Sequence, residues 1–126
     1  MYKVLICGSR FYTDYGKVLH YIRRLKATSV PGNSSHGDIV IISGGAKRAD
    51  TLAVKAAKAY GLSFREYPAQ WEKYGKKAGP IRNQTMLDME KPGLVVAFHE
   101  AVENSKGTID MVSRAKRSGV PVVVFK

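Results

Sequence analysis

Four short stretches of this sequence pair glycine or small polar residues with a basic side chain, the combination that holds a phosphate. They are Gly8-Ser9-Arg10, Ser43-Gly44-Gly45-Ala46-Lys47-Arg48, Gly79-Pro80-Ile81-Arg82-Asn83 and Lys106-Gly107-Thr108. A residue without a Cβ lets an anion approach main-chain N–H groups, and a guanidinium or ammonium adds charge-assisted hydrogen bonds. A tight strand-to-helix turn would need the same glycines, so no single stretch is specific; the signal is their repetition, provided one fold brings them to one rim. The acids in these stretches or beside them are Asp50, Glu100, Glu103 and Asp110. Asp50 and Asp110 are the candidates for a ribose-hydroxyl acceptor or a general base, although a carboxylate in a first helical turn is favourable without any chemistry.

Several chemistries are excluded by spacing. No G-x-G-x-x-G follows a strand, and there is no P-loop motif. Neither a G-x-S-x-G elbow nor a Cys–His pair suggests a nucleophile. His20, His36 and His99 are scattered, with no zinc-ligand spacing, so neither a metal nor a cofactor is expected.

The elements that must position these stretches follow from hydrophobic pattern. Tyr2 to Cys7, Ile39 to Ile42, Leu94 to Phe98 and Val122 to Phe125 are short, largely apolar runs, and Ser63 to Tyr67, ended by Pro68, reads as a further strand. Apolar runs without alternation suit strands buried on both faces of a parallel sheet. Val18, Leu19, Ile22 and Leu25 make the stripe of a first helix, with Thr13 or Asp14 as N-cap. Thr28 to Gly37 reads as a polar surface loop. Ala49, Leu52, Ala53, Ala56, Ala57 and Tyr60 make the stripe of a second helix, stopped by Gly61. Residues 69–80 read as a long connection, ordered by Trp71 and Tyr74. Pro80 is expected to open a third helix, with Ile81, Thr85, Met86 and Met89 inward and Arg82 and Asn83 in its first turn. After a polar loop from His99 to Thr108, Ile109, Val112 and Ala115 are expected inward on a fourth helix ended by Gly119.

Strands alternating with helices predict an α/β fold with a parallel sheet, right-handed crossovers and helices on both faces, in one domain over residues 1–126. The expected strand order is 3-2-1-4-5. Ligands of such sheets bind outside the carboxyl ends of the strands, where the order switches. That rim would gather Gly8, Ser9, Arg10, Ser43, Gly44, Gly45, Ala46, Lys47, Asp50, Arg82, Asn83, Lys106, Gly107 and Thr108. Arg82→Ala should then weaken a phosphorylated ligand by about 1.5–3 kcal/mol and leave stability nearly untouched.

The chain of 126 residues has a net charge of +11 and a pI near 9.9, which points to a polyanionic partner. Lys73, Lys76, Lys77 and Lys106, with Trp71 or Tyr74 for stacking, predict weak, salt-sensitive binding to single-stranded nucleic acid. The one cysteine, Cys7, cannot form an internal disulfide. No signal peptide is read at the N-terminus, and no apolar run is long enough for a membrane, so a cytoplasmic location is expected. A homo-oligomer is compatible with the sequence.

These residues together resemble the DUF2493 proteins, small bacterial and phage members of the SLOG superfamily. The most specific block is Ala69, Trp71, Gly75, Ala78-Gly79-Pro80-Ile81-Arg82-Asn83-Gln84 and Met86. Gly8-Ser9-Arg10-Phe11, Gly44-Gly45-Ala46 with Ala49-Asp50, and Gly107-Thr108 complete the resemblance, which covers nearly the whole chain. It implies a Rossmann-like three-layer sandwich and a nucleotide or nucleotide-derived ligand held by phosphate and ribose. The superfamily also contains the lonely-guy phosphoribohydrolases and DNA-processing protein A, which makes N-glycosidic hydrolysis of a nucleoside monophosphate and nucleic-acid binding the two alternatives.

Three departures from the pattern matter. Arg48 stands where the family usually has a third glycine, and Asn104-Ser105 where the superfamily usually has Gly-Gly. The lonely-guy enzymes carry a catalytic glutamate three residues after the threonine; here that position is Met111, with Asp110 one place earlier. One helical residue is about 100° of rotation, so Asp110 does not simply replace that glutamate. Nucleotide binding without hydrolysis is therefore expected.

Overall fold

The first strand, β1 (Tyr2–Gly8), lies in the middle of the sheet and carries both hydrophobic cores. In the computed structural model, residues 2–8, 14–27, 39–44, 49–98 and 106–125 are described, with the backbone alone for 26, 27 and 49–51. β1 pairs in parallel with β2 (Ile39–Ser43) on one side and β4 (Leu94–Phe98) on the other. β3 (Ser63–Glu66) extends the sheet beyond β2, and β5 (Val122–Phe125) extends it beyond β4. The order is β3-β2-β1-β4-β5, all parallel, as the sequence pattern predicts. Helices α1 (Tyr15–Ala27) and α2 (Ala49–Ala59) cover one face, while α4 (Ala78–Glu90) and α5 (Lys106–Arg117) cover the other.

Strand side chains alternate between faces. Val4 and Ile6 pack under α1 and α2 with Val18, Ile22, Ala53 and Ala56. Leu5 and Cys7 pack under α4 and α5 with Met86, Leu87, Met111 and Ala115. The helix ends follow local chemistry. Asp14 caps α1, its Oδ1 accepting the Lys17 N–H at 3.0 Å. Gly61, at φ 68°, takes the left-handed turn after α2, and Leu62 N–H then reaches back to the Ala57 carbonyl at 2.9 Å. Gly119 and Val120 repeat that closure after α5.

The region from 71 to 90 departs from expectation. Instead of an irregular connection, α3 (Trp71–Tyr74) and a 3-10 turn (Gly75–Lys77) lead directly into α4. Helix α4 thus begins at Ala78, and Pro80 is its third residue; proline is tolerated there because no N–H in the first turn has an intrahelical partner to lose. Arg82 and Asn83 consequently lie in the second turn. The inward face is also rotated. Ala78, Gly79, Asn83, Met86, Leu87 and Glu90 are buried, while Ile81 and Met89 face outward. On α5 the inward residues are Thr108, Met111 and Ala115, and Ile109 faces outward. On α4 the polar Asn83 and Glu90, each with hydrogen-bonding partners, share the buried face from which Ile81 is turned, and on α5 Met111 is buried where Ile109 is not.

Candidate functional site

The carboxyl edge of the sheet is built from the ends of β1, β2 and β4. Gly8 stands opposite Phe98, and Ser43 opposite Ile6, so these strand ends are close in register. Gly44 follows β2 and is buried. Its carbonyl accepts a hydrogen bond from Arg82 Nη1 at 2.5 Å. The same nitrogen reaches the Tyr67 carbonyl at 3.4 Å. A Cβ at Gly44 would run into the Arg82 guanidinium, so a side chain here would have to displace the group that grips the Gly44 carbonyl.

Arg82 Nε donates to Asn83 Oδ1 at 2.9 Å. The Asn83 amide, 3% exposed, donates from Nδ2 to the Gly107 carbonyl at 3.3 Å and to Asp110 Oδ2 at 3.0 Å. Asn83 therefore has its carbonyl oxygen on α4 and its amide nitrogen on the start of α5. Arg114 Nε donates to the same Asp110 oxygen at 2.8 Å, and Arg114 Nη1 to Gln84 Oε1 at 2.9 Å. A continuous hydrogen-bonded path thus runs from the turn after β2, through Arg82 and Asn83, into α5. It makes the glycine-bearing segments 43–44 and 106–108 parts of one frame.

Of the residues expected at the rim, this path joins Gly44, Arg82, Asn83, Gly107 and Asp110. Ser43 is buried and its carbonyl accepts the Tyr67 N–H at 2.8 Å. Gly8 ends the neighbouring strand, Thr108 is buried at 2% exposure, and Lys106 opens α5 exposed. Ser9, Arg10, Gly45, Ala46 and Lys47 lie outside the described residues, as do Arg48, Glu100 and Glu103. Asp50 is the second residue of α2, with its side chain outside the description. Asp110 is the fifth residue of α5 and so lies beyond the first turn in which the sequence placed it. Met111 is in the hydrophobic core beside Leu5 and Cys7.

A second polar cluster was not anticipated. Glu90 is 3% exposed at the end of α4. Its carboxylate accepts from Tyr67 Oη at 2.5 Å and Arg65 Nη1 at 2.7 Å, and pairs with Lys3 Nζ at 3.1 Å. Burial alone pushes this carboxyl up, but the hydrogen bonds from Tyr67 and Lys3 and the charges of Arg65 and Lys3 outweigh it and hold Glu90 below the ordinary glutamate value. The same hydrogen bond, with burial and the nearby carboxylate, pushes the Tyr67 phenol up. The cluster ties β1 and β3 to α4. A stripe read with polar residues allowed, Asn83, Met86, Leu87 and Glu90, would have found both Asn83 and Glu90 from their spacing of three, four and seven.

Among the described residues no helix is long and apolar enough to cross a membrane, and no group of three His, Cys, Asp or Glu side chains could hold a metal ion.

A parallel five-stranded sheet in this order, with helices on both faces, defines a Rossmann-like α/β domain. Within that class, a profile of the YspA, cpYpsA-related SLOG family matches residues 2–74, more than half of the chain, and the chain belongs to that family. It is 31% identical to the Gene 61 protein of Mycobacterium phage D29, over 99% of this chain and 97% of that one. In three dimensions 98% of it matches DNA processing protein A (DprA) from Streptococcus pneumoniae with a TM-score of 0.72. At 23% identity this likeness is one of fold, and the chain spans 50% of that protein's length.

Proposed function

We propose that the chain binds a nucleotide or nucleotide-derived phosphorylated ligand at the carboxyl edge of the sheet, as a cytoplasmic sensor or carrier, and does not hydrolyse it. The observation that carries this reading is the Arg82–Asn83 bridge, which fixes the Gly44 turn against Gly107 with hydrogen bonds of 2.5–3.3 Å. The end of β2 and the N-terminus of α5, held together beside the end of β1, offer an anion the start of a helix at little further ordering cost. Arg10, Lys47 and Lys106 supply the charge around it, and Asp50 is the acceptor for a ribose hydroxyl. In this reading Arg82 serves the ligand mainly by holding the turn.

The pairing within the second helical layer speaks against hydrolysis. One Asp110 oxygen is already shared by Asn83 and Arg114, and Met111 is buried in the core with no group that moves a proton.

Thermal-shift measurements against mononucleotides, dinucleotides and cyclic nucleotides test the binding. A true ligand at a hundredfold excess over its Kd stabilises the fold by about 2.7 kcal/mol; no shift with any member at millimolar concentration defeats the reading. Chromatography after long incubation with nucleoside monophosphates should show no free base. Release abolished by Asp110→Asn would instead make Asp110 catalytic, and release that survives it would direct the same test to Asp50.

A further inference from the structure

The surface from Trp71 to Lys77 has no part in that site. All seven of its residues are exposed, Trp71 at 60% and Tyr74 at 40%. Lys73, Lys76 and Lys77 stand against the single acid Glu72, and the Lys73 ammonium lies 5.1 Å over the Tyr74 ring. The Trp71 ring is nonetheless seated. A Cβ at Gly79 would lie 3.5 Å from its Cη2, an ordinary van der Waals contact, so the ring packs over the start of α4.

Beside this platform is a cleft of about 150 Å³ lined by Tyr67, Gln70, Tyr74, Ile81, Arg82 and Thr85 among others. Two of its walls are tethered, Tyr67 through Glu90 and Arg82 through the Gly44 carbonyl. Pockets for drug-sized ligands run to roughly 300–1,000 Å³, so this cleft suits one planar ring system with polar groups at its edge rather than a whole nucleotide. An aromatic-walled cleft, an exposed indole and three closely spaced cations match the needs of a strand whose bases are unstacked.

The geometry points to a binding surface for single-stranded nucleic acid that adjoins the rim site at Arg82 and extends away from it over Trp71 to Lys77. One base enters the cleft lined by Tyr67 and Tyr74, a neighbouring base stacks on Trp71, and Lys73, Lys76 and Lys77 contact the phosphates. A duplex keeps its bases paired and stacked and can use the lysines alone.

Trp71 is the one tryptophan of the chain, so its fluorescence reports this surface directly. Titrating the full chain at low salt with an oligothymidine of about ten nucleotides, within the usual span of such sites, should quench the fluorescence saturably. A duplex and an inorganic polyphosphate of equal charge should bind more weakly and leave it unquenched. Trp71→Ala should lower affinity for the oligonucleotide by roughly 5- to 150-fold, the range for one base–aromatic stack. Replacing Lys73, Lys76 and Lys77 together by glutamine should flatten the plot of log affinity against log salt by about 2 in slope, three phosphates at about 0.7 each. Circular dichroism should show both variants folded. Equal affinity for polyphosphate with no quenching would overturn the proposal, and that outcome needs no variant. Full affinity retained by both folded variants would overturn it as well.

Discussion

The two faces of the sheet are held by different physics. Under α1 and α2 the buried cluster is hydrocarbon throughout, thirteen apolar residues with the rings of Tyr21, Phe98 and Phe125 at one edge. Under α4 and α5 the apolar cluster is flanked by buried polar side chains. Of the four found among the described residues, Asn83, Glu90 and Thr108 belong to these two helices, and Ser43 ends β2. Hydrocarbon packing resists unfolding but tolerates many arrangements of similar volume. A buried amide or carboxylate accepts few arrangements, since an unmet partner is destabilising. The first face therefore supplies stability, and the second fixes where α4 and α5 sit relative to the glycine turns.

That contrast can be broken most forcefully at Phe98, which is fully buried and lies 5.4 Å from the Phe125 ring and 6.0 Å from that of Tyr21. Phe98→Ala should cost about 3–5 kcal/mol in urea unfolding, without altering the pH dependence of stability. A cost below about 1.5 kcal/mol, the level of a tolerated core swap, would mean that the hydrocarbon face is not the main source of stability.

Glu90→Gln should cost about 1–3 kcal/mol, since Lys3 and Arg65 are partly exposed and can turn to water. Its signature is in pH. Because the folded carboxyl titrates below its unfolded value of about 4.3, its contribution is complete above that pH and is lost as pH falls through the folded value. Melting curves of wild type should drop there more steeply than those of Glu90→Gln. The Tyr67 phenol is shifted up, so its contribution is complete below about pH 10 and is lost as pH rises through the folded value. Tyr67→Phe should flatten that alkaline limb, and superimposable curves at both ends would show the cluster to be energetically idle.

The smallest effect is expected at the half-buried Arg82, where the alanine variant takes the guanidinium from the Gly44 carbonyl for about 1 kcal/mol. A double-mutant cycle sharpens this. Gly44→Ala should destabilise the wild-type chain, because its methyl meets the guanidinium, and should be far milder in the Arg82→Ala background. Additive effects would separate the two residues.

Legibility in the sequence follows the same division. The β-branched runs at Ile39 to Ile42 and Leu94 to Phe98 and the alanine stripe of α2 yielded strands, order and the first helical face, because burial there depends on hydrophobicity alone. Reading α4 by its apolar residues put Ile81 and Met89 inside, where the structure has Asn83, Leu87 and Glu90. Ile109 yielded to Met111 in the same way. The rim residues Gly44, Arg82, Asn83 and Gly107 were visible as types. That Arg82 grips a backbone carbonyl is a tertiary fact with no local signature, and it replaces the expectation that Arg82→Ala would spare stability.

The central place of β1 has a consequence for biosynthesis. β1 is made before the other four strands and needs partners made at quite different times, β2 by residue 43 and β4 only when residue 98 has been added. A nascent chain can assemble β3-β2-β1 under α1 and α2 while Leu5, Cys7, Val40 and Ile42 still face water, because Met111 and Ala115 have yet to be translated. At about 5–20 residues per second that apolar face stays bare for seconds on the ribosome, a long exposure beside the microsecond times of hydrophobic collapse. Late closure by α5 makes the synthesis of residues 94–125 the step at which ribosome-associated chaperones would matter most.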